Sequence, residues 1–454
     1  MADSPPPRAP DTSSRALIKL AWPLFIANLA VVGNGTIDAI MAGRLSATDL
    51  AAVAVGSSIY VTVYIGFMGV LQALSPIAGH HYGAHRWRAI GDDVQQALWL
   101  SLLLTAAGLP CVLATDLWLG FARTDDEVRR VATLYLHAIA FGLPAALATR
   151  VFVALNAAVS RPKVTMVVNV TALSLKVPLN LVFMYGAGPV PALGGAGAGV
   201  ATALLAWLML AMSLAVWRFD PFYARFRSGE IHGPRWAALR EQLGLGLPIG
   251  LATLFEVTSF TFMAVLIARL GTAAVAGHQI VANLIAILFM VPLSLGIATS
   301  VLVAQSLGAN EPKVARRAAL RGFRVALGIA VTAAALLWLL RETIVSLYTN
   351  DPAVAAVALS LLGLAALFHL FDASQGVAGF VLRGYKSTFW PMVIYGVALW
   401  GIGLGGGYLL AFNTLGISPP ALQGAAGFWM GNTTGLAVAA SSFALLLWRI
   451  ARKD

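Results

Sequence analysis

The sequence predicts an all-α integral membrane protein of twelve transmembrane helices, arranged as two six-helix bundles related by a pseudo-twofold axis along the membrane normal. Three observations carry that reading: an apolar composition, a series of long apolar runs, and a repeat of the first half in the second. Of 454 residues, 59% are hydrophobic and only 11% charged. A water-soluble chain of this length cannot bury so much apolar surface. The runs exceed the ~18 residues that cross a hydrocarbon core roughly 30 Å thick. They must be helices, because an open strand leaves its backbone unsatisfied in lipid.

The spans fall at 17–43, 49–78, 94–119, 131–158, 164–186, 194–218, 243–269, 275–305, 318–340, 353–382, 390–412 and 424–448. Residues 1–14 are rich in Pro and Ser and lack the apolar region and cleavage site of a signal peptide, so they read as a disordered tail. An even number of spans puts both termini on one side. Lys and Arg choose the side, since basic residues resist translocation. With the termini cytoplasmic, the inner segments hold 22 basic residues and the outer loops six. The net charge of +11 is therefore membrane topology in a multi-pass protein of the cell inner membrane, and needs no nucleic-acid partner. The single cysteine, Cys111, rules out a disulfide framework and a thiolate metal cluster.

Sliding the chain by 225 residues superposes Leu20-Ala21-Trp22-Pro23 on Leu245-Gly246-Leu247-Pro248, Arg44-Leu45 on Arg269-Leu270, and Gly83-Ala84 on Gly308-Ala309. With small insertions, Gly194 and Gly197 meet Gly424 and Gly427. A repeat of six spans enters the membrane twice in the same orientation, which makes it parallel. The expected organisation is an N-terminal lobe at 15–218, a cytoplasmic linker at 219–242 and a C-terminal lobe at 243–450, with a cleft that opens to either side by rocking.

Among 19 acidic residues, Asp38, Glu256 and Asp372 lie well inside spans. Such acids cost several kcal/mol unless they face protein or water, so they are functional candidates, set against the plainer role of holding a neighbouring helix. At helical rise, Glu256 sits roughly 20 Å and Asp372 roughly 16 Å from the inner face, a shared depth at which two carboxylates can share a proton or hold a cation. Asn283, Ser259 and Gln375 are nearby candidates for neutral oxygens. Asp38 lies near the outer end of its helix, one turn from Asn34. Within the spans, Arg150 and Lys176 are the two basic residues left over.

These residues resemble the multidrug and toxic compound extrusion transporters, NorM-type branch. The resemblance covers nearly the whole chain and rests on Asp38-Ala39-Ile40-Met41-Ala42-Gly43-Arg44-Leu45 with Asp49-Leu50-Ala51-Ala52-Val53-Ala54-Val55-Gly56, on Leu254-Phe255-Glu256-Val257, on Ala276-Gly277-His278-Gln279-Ile280, and on Val177-Pro178-Leu179-Asn180. It implies a monomeric antiporter, not an enzyme and without a cofactor, that expels small organic, cationic or aromatic compounds across the lipid bilayer on an inward flow of sodium ions or protons. Asp38 would be the acid of the N-terminal lobe, and Glu256 with Asp372 the cation site of the C-terminal lobe. Lys176, Asn34, Asn180, Asn283 and Gln279 would modulate substrate or coupling. Lys176 departs from the pattern, in which relatives usually carry an uncharged Asn two residues before the proline. Spans one and five run in the same direction, which puts Lys176 only about 8 Å deeper than Asp38. An ion pair between them is expected, with the ammonium competing against external cations.

Other features carry less. Gly401, Gly403 and Gly406 fit a GxGxxG string inside an apolar span with no strand before it, which points to close helix packing. His80, His81 and His85 read as solvated, and His278 and His369 as structural. The competing function is a flippase for a lipid-linked precursor, which would want several basic residues for phosphate where this chain offers two.

Overall fold

The computed structural model describes residues 10–122, 125–227, 230, 232–450 and 452. Among them, eleven helices are long and apolar enough to cross a membrane, and the pair Asp126–Ala140 and Leu143–Ala158, bent by 49°, makes the twelfth span. The protein is a multi-pass, all-α membrane protein. The chain forms two compact units, one at Trp22–Gly250 and the other joining the residues up to Ala21 to those from Leu251 onward.

The first unit takes most of α1 (Ser14–Leu45), then α2 (Ala47–Leu71), α3 (Leu74–Gly83), α4 (Trp87–Leu113), α5 (Thr115–Ala122), α6 (Asp126–Ala140), α7 (Leu143–Ala158), α8 (Pro162–Tyr185), α9 (Gly195–Phe219), the short α10 (Pro221–Ala224) and the start of α11 (Trp236–Ala268). Its core is aliphatic, with Leu100, Leu136, Leu143, Val151 and Leu155 fully enclosed. The beginning of the 219–242 segment is packed beneath this core. Tyr223 and Phe226 are buried, Tyr223 donates to Asn156 Oδ1 at 2.6 Å, and Arg161 pairs with Asp220 and lies over the Phe222 ring. Gly91 of α4 makes room for that segment, since a Cβ there would fall 1.8 Å from the Phe226 carbonyl oxygen.

The second unit continues with the rest of α11, then α12 (Thr272–Gly308), α13 (Pro312–Leu339), α14 (Arg341–Tyr348), α15 (Pro352–Gly384), α16 (Phe389–Tyr395), a π-helix at Gly396–Gly406, α17 (Gly407–Ala411), a 3-10 turn at Pro420–Leu422 and α18 (Ala425–Ile450). Helix α15 is its axis, packed on α12, α13 and α18. Gly403, from the GxGxxG string, does serve packing. A Cβ on Gly435 would fall 2.4 Å from the Ala398 carbonyl, and one on Gly431 would meet the Gly407 Cα at 2.5 Å, so α18 lies directly on the π-helix and α17. Gly401 and Gly406 face open space.

The repeat is written into the backbone. His85 and Asn310, 225 residues apart, both adopt positive φ, at 56° and 61°, at equivalent turns. Each turn is closed by the same pair of bonds, from Ala84 N to His80 O and Arg86 N to His81 O in one unit, and from Ala309 N to Gln305 O and Glu311 N to Ser306 O in the other. Ser160 and Lys386 form a second such pair, with φ of 58° and 56°. Gly194 and Gly424, with φ of 59° and 71°, open α9 and α18, and three residues on Gly197 and Gly427 each lie against backbone that no Cβ could approach.

Overpacking of an enclosed site costs about 1–3 kcal/mol, and more where backbone is struck. Gly91→Leu is expected to lower the thermal unfolding midpoint in detergent by several degrees or to prevent accumulation in the membrane. Gly328→Leu, whose Cβ would meet nothing within 4 Å, should leave both unchanged.

Candidate functional site

Each unit holds one cluster of charged groups inside its spans. In the first unit, α8 lies along α1, with Asn169 donating to the Ala27 carbonyl and Tyr185 to the Met41 carbonyl. Those contacts advance along both helices together, so the two run parallel and bring Lys176 and Asn180, one turn apart, to the level of Asp38. Lys176 Nζ is 2.8 Å from Asp38 Oδ1, and the side chains are 1% and 10% exposed. Asn180 Nδ2 donates to the same Oδ1 at 2.8 Å, and Lys176 Nζ donates to Thr202 Oγ1 of α9 at 2.6 Å. Thr202 Oγ1 in turn lies 3.5 Å from Asp38 Oδ2.

The ammonium is thus enclosed by a carboxylate and a hydroxyl, and the carboxylate by an ammonium, an amide and a hydroxyl. A low local dielectric strengthens each of these bonds and makes each expensive to lose. Asn34 does not join them: its amide nitrogen donates to the Ala30 carbonyl of its own helix at 2.9 Å, and its buried Oδ1 has no hydrogen-bond partner among the described residues.

In the second unit, Glu256 comes from α11 and Asp372 and Gln375 from α15. Gln375 Nε2 donates to Asp372 Oδ1 at 3.0 Å and reaches Glu256 Oε1 at 3.4 Å, so one amide spans both carboxylates. The carbonyl end of that amide accepts from the Tyr395 hydroxyl. This fixes which end of the amide faces the acids, because a carbonyl turned toward two carboxylates would meet acceptors only. Arg383, in the last turn of α15, interacts electrostatically with both Glu256 and Tyr395. Asp372 and Gln375 are buried, while Glu256 is half-buried.

The other predicted donors go elsewhere. Ser259 donates to the Leu399 carbonyl at 3.1 Å, Asn283 Oδ1 accepts from Tyr348 at 3.4 Å, and Gln279 shares the exposed face of α12 with Asn283. His278 is buried and accepts from Trp429 Nε1 at 3.2 Å, within an aromatic cluster that includes Phe260 and Phe368.

A family model described as MatE matches the chain twice, at residues 23–182 and 248–409. The chain belongs to the MatE family. The two matches begin 225 residues apart, at Pro23 and Pro248, which is the offset of the internal repeat. MatE relatives extend over almost the whole length. A probable multidrug resistance protein NorM of Aromatoleum aromaticum is 39% identical over 448 residues, covering 98% of this chain and 96% of the relative. The multidrug resistance protein PmpM of Pseudomonas aeruginosa is 38% identical over 446 residues, covering 97% and 92%. The fold is that of the eukaryotic MATE transporter AtDTX14, with a TM-score of 0.85 at 22% identity over 97% of each chain. A MATE in the bent conformation gives 0.87 at 19% identity over 98% of this chain and 96% of the other.

Sequence reasoning missed three members of these MatE clusters. Thr202 and Tyr395 carry hydroxyls too common in membrane helices to stand out, and Arg383 looks like an ordinary cytoplasmic anchor at a helix end. A pairing test follows from the first cluster. Removing one partner of a buried ion pair typically costs 3–5 kcal/mol, because the other charge is left uncompensated. Lys176→Met and Asp38→Asn are each expected to lower the thermal unfolding midpoint in detergent, and the double variant to recover most of the loss. Strictly additive losses would show that the two groups are energetically independent.

Proposed function

We propose that this protein is a cation-coupled multidrug efflux antiporter of the cell inner membrane. It would work as a monomer with both termini cytoplasmic and expel small organic compounds, cationic or aromatic, by alternating access. The observation that carries the coupling is the bridge made by Gln375 between Glu256 and Asp372. Two carboxylates held on one amide donor inside a membrane are costly when both are ionised and unaccompanied. Binding a proton, or a sodium ion with oxygen ligands, removes that cost. Occupancy of the acids thereby becomes a source of free energy for a change in α11 and α15, the helices that carry them. The names of the relatives support multidrug compounds as cargo. The parallel repeat supports rocking of two equivalent bundles.

Ion and cargo are tested together in proteoliposomes loaded with a cationic dye, under a sodium gradient or a proton gradient applied separately. Efflux under one gradient identifies the ion. Glu256→Gln and Asp372→Asn are each expected to reduce gradient-driven efflux to background at unchanged protein level, since removing an acid from the membrane does not raise the cost of insertion. Full transport in both variants would remove the coupling role from this pair. Asp38→Asn is expected to abolish the pH dependence of dye release while leaving dye binding measurable.

A further inference from the structure

The turns at His85 and Asn310 lead into α4 and α13, so these two helices are equivalent in the repeat, residue for residue at an offset of 225. In the first unit, one face of α4 carries the chain's own linker. Gly91 lies under Phe226, Asp92 pairs with Arg235 at 3.3 Å, Gln95 Nε2 donates to the Glu230 carbonyl at 2.9 Å, and Trp99 Nε1 donates to the His232 carbonyl at 3.0 Å. Gln96 completes the contact, donating to the Gly233 carbonyl at 3.0 Å and accepting from Arg235 N at 2.7 Å.

The equivalent face of α13 has another character. Arg316, Arg317, Leu320 and Arg324 stand where α4 has Gly91, Asp92, Gln95 and Trp99, and Lys313 stands one turn before them. All five are exposed. Among the described residues the four basic side chains enter no ion pair, Glu311 before the helix included. Their one side-chain hydrogen bond is internal, from Arg317 Nε to the Lys313 carbonyl at 3.4 Å. Only Arg321, at the position of Gln96, is met by the chain itself: it donates to the Thr12 carbonyl at 2.9 Å, with Asp11 in its field.

The rest of the helix shows what this face meets. At spacings of seven it continues as Val331 and Trp338, 50% and 52% exposed. An exposed apolar face of a membrane helix lies against lipid, and an aromatic ring near its end marks an interface. The 28 residues of α13 extend about 42 Å, beyond the roughly 30 Å of a hydrocarbon core, so the basic turns reach headgroup depth and Arg324 follows by snorkelling. Guanidinium groups there hold phosphate oxygens through paired hydrogen bonds, and clustered basic residues beside a span attract anionic lipid. Topology alone asks for basic residues at this end, but not for four on the lipid-facing stripe of one helix.

We propose that the basic stripe of α13, from Lys313 to Arg324, is a binding surface for the headgroups of anionic phospholipids, which take on the second unit the place that the linker takes on the first. This is independent of the cargo, the coupling ion and the orientation of the chain.

The test titrates the full chain in a neutral detergent with phosphatidylglycerol or phosphatidylcholine, counts bound lipid by native mass spectrometry, and follows the thermal unfolding midpoint of the same samples. The wild type is expected to take up phosphatidylglycerol in preference and to gain several degrees with it. That gain should shrink at about 1 M salt, where exposed charges are screened within roughly 3 Å. Replacing Arg316, Arg317 and Arg324 together by Gln should weaken phosphatidylglycerol roughly ten- to hundredfold, as expected for three basic residues near an anionic headgroup layer, and leave phosphatidylcholine unchanged. The same three changed to Lys should keep most of the binding. Arg86, Arg88 and Lys163, exposed residues of the first unit, changed together to Gln remove as much charge and should also keep it. Loss in both glutamine variants, or in neither, would overturn the surface. Should the first of them fail to accumulate, a wild-type gain that persists undiminished at high salt would overturn it instead. Displacement of phosphatidylglycerol by millimolar glycerol phosphate would give the stripe to a soluble anion and overturn the lipid reading. So would a dimer, seen by light scattering, that the α13 glutamine variant dissolves, since the stripe would then be a contact between copies of the chain.

Discussion

The constraint on which this structure depends is that hydrocarbon does not tolerate a charge without company. The two halves meet it in different ways. In the first, the acid is answered by a lysine supplied from the chain itself, and the pair is closed by Asn180 and Thr202. In the second, two acids stand without a lysine, steadied by one amide, whose far end rests on a tyrosine hydroxyl, and by the field of Arg383. The first arrangement is complete as it stands. The second sets two carboxyl groups on a single amide donor. A single scaffold thus carries one cluster balanced by a lysine and one in which two acids share an amide.

Much of the fold was legible in the sequence because lipid allows so few solutions. An apolar run of sufficient length becomes a helix regardless of its detailed residues, so the positions of the spans followed from hydropathy. The break between α6 and α7 did not, because the apolar pattern continues across it; it falls where Pro144, in the first turn of α7, has no N–H to donate to the Ala140 carbonyl at the end of α6. The acids were legible because they are rare inside spans. The approach of Lys176 to Asp38 was within reach of counting residues along two helices of the same direction. Where Gln279 and Asn283 would point was not legible: they lie four residues apart on an exposed face of α12, while His278 and Ile285 take the buried face. Depth along a helix can be counted from sequence, but the rotation of its faces depends on neighbours.

The π-helix shows another limit. Nothing in Gly396-Val397-Ala398-Leu399-Trp400-Gly401 distinguishes a wide turn from an α-helical one except the density of glycine, and glycine also serves packing. In the structure the wide turn presents the Leu399 carbonyl to Ser259 and the Trp400 indole to the Phe255 carbonyl. Those two partners flank Glu256 on α11. The glycines of α18 and α17 bring the helices together, and the π-helix fastens the acid-bearing helix to them.

The left-handed residues at the repeated turns have a consequence for ancestry. His85 and Asn310, and Ser160 and Lys386, share a torsion but not a side chain. A duplicated gene was free to exchange one residue for another at these corners while the corner itself persisted. Backbone conformation has therefore been the more durable record of the duplication, and side-chain chemistry the more plastic one. A descendant of such a duplication can place a lysine beside the acid of one copy and a second acid in the other without rebuilding its frame.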